Sequence, residues 1–115
     1  MNEIKFRALD QFSDSWIYGQ AFFVDSDNDQ GYIANGISDH HCVKAESAGQ
    51  YTGVNDSNGV EIFVGDIWKH GEGDEVQCNE VRFYGAAFYP VCEYPEEYGV
   101  VIGNVFENPE LKEDK

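Results

Sequence analysis

Apolar and polar residues alternate from near the start of the chain. In "EIKFRALD", Ile4, Phe6 and Ala8 fall on one side of a two-residue period and Lys5 and Arg7 on the other, the pattern of a strand with one buried and one wet face. "SWIYGQAFFV" follows, rich in the aromatic and β-branched residues that pack well on a pleated surface. The two runs are expected to pair as an antiparallel ribbon across "DQFSDS".

Glycine recurs from Gly19 to Gly103 at intervals that leave no room for a long amphipathic helix. Asn35-Gly36 and Asn58-Gly59 are the clearest turn signals. Both are expected at hairpin tips of type I′, whose two central residues need positive φ. Gly53 is grouped with them as a structural glycine. In "VEIFVGDIWKH" the alternation of Ile62 and Val64 breaks at Gly65-Asp66, as at a bulge or bend, so the chain is expected to turn a corner there.

"EVQCNEVRFYG", "AAFYPV" and "YGVVIGNVF" supply further strands, with Pro90 suited to a strand end. "SDHHCVKAESA" suggests one short helix between residues 38 and 48, although it has no apolar stripe. The tail "ENPELKEDK" suggests one helical turn capped by Asn108 with Pro109 first, fraying over about 109–115. The fold class that follows is mostly β: a compact, single-domain twisted barrel or sandwich over 1–115, with at most one or two short helices.

Composition adds a packed core and an acidic surface. With 42% hydrophobic and 15% aromatic residues, the chain is too apolar for disorder despite a net charge of -15. Twenty-two acidic residues against seven basic ones repel phosphate, so direct binding of nucleic acid is not expected. The same imbalance suits an acidic nucleic-acid mimic that inhibits a basic host factor, or serves only solubility. No apolar stretch is long enough to span a membrane, and "MNEIKFRALD" has no leader pattern, so a soluble, cytoplasmic protein is expected. Cys42, Cys78 and Cys92, odd in number and widely spaced, read as buried free thiols in a reducing compartment.

Four segments, "IKFRALD", "SWIYG", "GQYTGVNDSNGVEIFVGDIW" and "VIGNVFENPEL", in that order resemble the YopX-like family of small phage and prophage proteins. The central block is the most specific, joining a Gln-Tyr-Thr-Gly segment, an Asn-Gly turn and a Gly-Asp-Ile element. Two positions depart from the pattern: Leu9 stands where the family usually carries Trp, and Val64 where a charged residue, usually Glu, precedes Gly-Asp. The resemblance implies a mostly β fold, a bacteriophage or prophage origin and homo-oligomerisation. It implies no catalytic activity.

The candidate chemistry is thin. "DSDND" spaces Asp25, Asp27 and Asp29 like a calcium loop, but Gln30 and Gly36 stand where the turn glycine and the bidentate Glu belong. His40, His41 and Cys42 are adjacent, so on a strand they point to opposite faces and make a poor zinc set. A pairing of Cys42 or Cys78 with His70 has the residue types for nucleophilic catalysis, and Glu93, Glu96 and Glu97 those for acid-base work, with no specific spacing in either case. No catalytic residue, metal ligand or cofactor is therefore assigned.

Asp56 and Asn58 read as turn residues, and Asp66 as a tie for the bend after Gly65. Tyr51 and Asp66 are the candidate binding residues of the central block, with burial the simpler role for the Tyr51 ring. The expected function is that of a non-enzymatic, oligomeric accessory module that binds a host or phage protein. The alternatives are the acidic mimic, a virion component, or a small metal-dependent enzyme built around His40, His41 and His70.

Overall fold

A computed structural model describes residues 4–35, 39–84, 86–94 and 98–111. About half of the described residues lie in strands, and the only helical pieces among them are four 3-10 turns of three residues each. Among the described residues the sheets have two to four strands and none closes on itself, so of the two expected architectures the sandwich-like one stands and the closed barrel does not. The chain divides into two compact units, residues 1–51 and 52–115.

In the first unit, β1 (Phe6–Leu9) and β2 (Trp16–Gly19) form the expected ribbon, antiparallel from Phe6↔Gly19 to Leu9↔Trp16. The aromatic run then splits at Gly19. Ala21–Asp25 becomes β3, which pairs with β4 (Gln30–Ala34), and β4 pairs with β5 (His40–Val43). Ala8, Ile33 and Val43 form the core, with Phe6, Ile17, Phe22 and Ala48 packed against it. β6 (Gly49–Asn55) begins here, pairing Gln50 with Phe6 and Gly49 with Arg7.

Arg7 overturns part of the alternation. The two-residue period puts it on the wet face, yet it is only 7% exposed, and its guanidinium carbon lies 4.3 Å from the Trp16 ring centroid. Arg7 faces Tyr18 across the ribbon, so Trp16 is its diagonal neighbour on the same face and its ring can cover the guanidinium.

The segment 38–48 is likewise corrected. His40–Val43 is strand, and only Ala45–Ser47 forms a 3-10 turn, because no apolar stripe exists to seat a longer helix while Val43 is buried through the sheet. Ser47 replaces a longer helix with a local lock: its hydroxyl accepts from Leu9 N–H at 2.7 Å and donates to Lys44 O at 2.6 Å.

The second unit contains the end of β6 followed by β7 (Glu61–Phe63), β8 (Asp66–His70), β9 (Gln77–Glu80), β10 (Arg82–Tyr84), β11 (Ala87–Tyr89) and β12 (Val100–Asn104). β8 is central in the order β12-β8-β9, while β10 and β11 form a separate two-stranded ribbon. Ile62, Trp68, Val81 and Val91 make the core, flanked by Val54, Tyr94 and Val101. Pro90 follows β11 directly, as a strand-ending proline should.

Pro109–Leu111 forms the expected terminal turn. The Asn108 side chain does not cap it but accepts from Asn104 N–H at 3.3 Å, and residues 112–115 lie outside the described set.

Candidate functional site

The central block folds as a scaffold. Asp56, 1% exposed, accepts through Oδ1 from Asn58 N–H at 2.8 Å and Val60 N–H at 2.9 Å, and through Oδ2 from Val101 N–H at 2.8 Å. The turn it holds differs from the expected type I′. Gly59 has φ of 81° while Asn58 is not left-handed, and Gly59 N–H bonds Asp56 O, so this is a type I turn followed by a left-handed glycine. One carboxylate satisfying two turn amides favours that geometry over the mirror-image turn.

Asn35 lies in a longer connection between β4 and β5, where its N–H donates to Asp39 O and its side-chain amide to Tyr18 O. Gly36 falls outside the described residues.

Gly65, at φ of 99°, turns the corner between β7 and β8, donating to Val81 O and accepting from Val105 N–H. Asp66 is 2% exposed, and its Oδ2 accepts from Phe63 N–H at 2.8 Å, tying the corner from inside. That burial gives Asp66 a folding role. Gly53 also has positive φ, within β6. Tyr51 is half-buried, its N–H donates to Lys5 O, and Lys5 Nζ stands 5.9 Å from its ring centroid.

The remaining candidates disperse. Asp25, Asp27 and Asp29 sit at the β3–β4 hairpin tip, where Asp25 Oδ1 accepts from Asp27 N–H and Asp29 takes φ of 59°. His40 and His41 occupy successive positions of β5, both exposed, opposite Ala34 and Ile33. They and Cys42 belong to the first unit, whereas His70 and Cys78 belong to the second. No cluster of three metal-ligating side chains occurs among the described residues.

Of the thiols expected to be buried, only Cys78 is so. Cys42 is half-buried and Cys92 is exposed in the 3-10 turn Val91–Glu93, which presents it outward after Val91 enters the core. Glu93 is exposed beside it, and Glu96 and Glu97 lie outside the described residues.

One concave site was missed by the sequence reading. A cavity of about 330 Å³ opens at the end of β8, lined by His70, Glu72, Glu75, Gln77, Tyr94 and Tyr98. Strand alternation puts Trp68 and His70 on the same face, where their rings stack with centroids 4.5 Å apart. Tyr94 packs on His70 at 4.8 Å and stacks with Tyr98 at 4.9 Å and 18°.

His70 is 6% exposed and Nε2 lies 2.8 Å from Asn79 Oδ1. An amide oxygen can only accept, so in this contact Nε2 is the donor and Asn79 holds the ring in place. The loop after β8 contributes Glu72, extended and just before the 3-10 turn Gly73–Glu75, and Glu75 at the last position of that turn; both line the cavity. No cation pairs with either carboxylate among the described residues. The walls thus combine π faces with hydrogen-bond acceptors. The sequence signal for this site was slight: aromatic residues at 68, 94 and 98 and two glutamates three apart.

The pattern of the YopX protein family matches residues 5–113, nearly the whole chain. The chain belongs to the YopX protein family. Among solved structures, the crystal structure of protein EF1440 from Enterococcus faecalis is similar, with a TM-score of 0.61, 23% identity and coverage of 98% of this chain and 100% of that one. At that identity the likeness shows a shared fold. No curated protein matches the chain. No helix among the described residues of this YopX family member is long and apolar enough to cross a membrane.

Proposed function

We propose that this YopX family member is a non-enzymatic accessory module of phage or prophage origin that works in the bacterial cytoplasm by binding protein chains, beginning with copies of itself. The observation that carries this reading is the β10–β11 ribbon. Among the described residues it is a two-stranded sheet joined by no third strand, and Phe83, 61% exposed, stands on it in a cross-strand T-shaped contact with Phe88 at 5.1 Å. Tyr89 on the second strand is also exposed.

Open edges with exposed aromatics are the features that strand addition and apolar burial use. An antiparallel ribbon is self-complementary about a two-fold axis, so a second copy is its simplest partner.

Sedimentation across protein concentration tests this. A concentration-dependent shift to dimer or higher order, lost in Phe83→Asp, is expected. A monomer at every concentration at physiological and high salt would overturn self-association. The net charge of -15 favours a second reading, in which the oligomer occupies a basic, nucleic-acid-binding host protein. That reading requires capture that weakens steeply with salt and competes with DNA.

A further inference from the structure

We infer that the cavity at the end of β8 binds the guanidinium of an arginine side chain carried by a partner protein, an inference that rests on the protein-binding reading above. Four observations select this ligand. The walls are aromatic, with the Tyr94 ring in contact with both His70 and Tyr98, and such faces attract cations. The ionisable side chains at the rim are carboxylates, Glu72 and Glu75, without a cationic partner among the described residues. His70 is fixed in the wall by its Nε2 contact with Asn79 Oδ1 at 2.8 Å, so its ring is preorganised beside Tyr94. The volume of about 330 Å³ lies at the lower end of small-ligand cavities and suits a single side chain.

Arginine fits this set better than lysine. Its planar fork can stack on a Tyr ring while its edge donates to two carboxylates, whereas an ammonium is a compact, strongly hydrated charge. Glu72 and Glu75 both line the cavity and supply those carboxylates. Trp68, behind His70 and 1% exposed, backs the aromatic wall and keeps it in place.

The test uses the full chain and three blocked tripeptides, Gly-Arg-Gly, Gly-Lys-Gly and Gly-citrulline-Gly, titrated while NMR follows His70, Tyr98 and the Trp68 indole N–H. Saturable shifts of these three residues with the arginine peptide are expected, with weaker binding of lysine and none of citrulline. The variant E72Q/E75Q should weaken arginine binding roughly fivefold, the scale of two exposed ion pairs. The control D27N/D29N removes the same charge from the β3–β4 tip of the other unit and should change it little.

Equal binding of citrulline, equal weakening by the control, or no saturable shift up to about 10 mM peptide would overturn the assignment. Free arginine binding as tightly as the peptide would make the site one for a small molecule and overturn the partner-protein part. Glu72 and Glu75 are exposed and precede β9, outside the β10–β11 ribbon that carries Phe83. Their substitution is expected to leave sedimentation unchanged, so failure of arginine binding and failure of self-association are read separately.

Discussion

The Asp56 carboxylate accepts a hydrogen bond from the backbone N–H of Val101 at 2.8 Å, closing 45 positions of sequence through one buried side chain. Its other oxygen serves the amides of Asn58 and Val60, and Ser57 N–H adds a bond to Gly99 O. The Asn-Gly turn of the family block is thereby fastened to the start of β12.

Asp56→Ala leaves three backbone donors without their acceptor and should cost about 3 kcal/mol. Asp56→Asn keeps one acceptor oxygen and should cost roughly half as much. Urea denaturation checks both, and amide exchange should accelerate most at Val101.

Gly65→Ala is expected to destabilise by about 1–3 kcal/mol, because an L side chain is strained at a φ this positive. The added Cβ would also stand 3.0 Å from Phe106 Cε2. The midpoint of chemical unfolding should fall without a change in its slope.

The Arg7–Trp16 contact should behave as a desolvated cation–π pair. A double-mutant cycle through Arg7→Met and Trp16→Leu is expected to show a coupling of about 1–2 kcal/mol. Coupling near zero would mean that Arg7 is held by its other interactions alone.

The three thiols should react with a soluble disulfide reagent in order of exposure. Cys92 is expected to be modified fastest, Cys42 more slowly, and Cys78 only on unfolding. Mass spectrometry of peptides from partially modified protein reads the order directly. Fast modification of Cys78 in the folded state would contradict its burial.

Local features of the fold were legible where neighbouring residues set them. The β1–β2 ribbon, the corner at Gly65-Asp66, the strand end at Pro90 and the turn at Pro109 follow from alternation, glycine and proline. The two Asx roles at Asp56 and Asp66 were legible as turn chemistry, because their amide partners at 58, 60 and 63 lie within four residues. Asp56's bond to Val101 was not, since nothing local announces a partner so far along the chain. The cavity, too, escaped local reading, because it is built from residues that carried no motif.

The sequence by itself determined the strand-rich character, the acidic surface and the membership of the family, because alternation, charge and spaced motifs are properties of local order. Tertiary structure alone decided that Arg7 is covered, that Cys92 is exposed, and that His70 shares a wall with Tyr94 and Tyr98. Those outcomes depend on which side chains arrive from distant strands and loops. A two-residue period says which residues share a face, but only packing decides what covers that face.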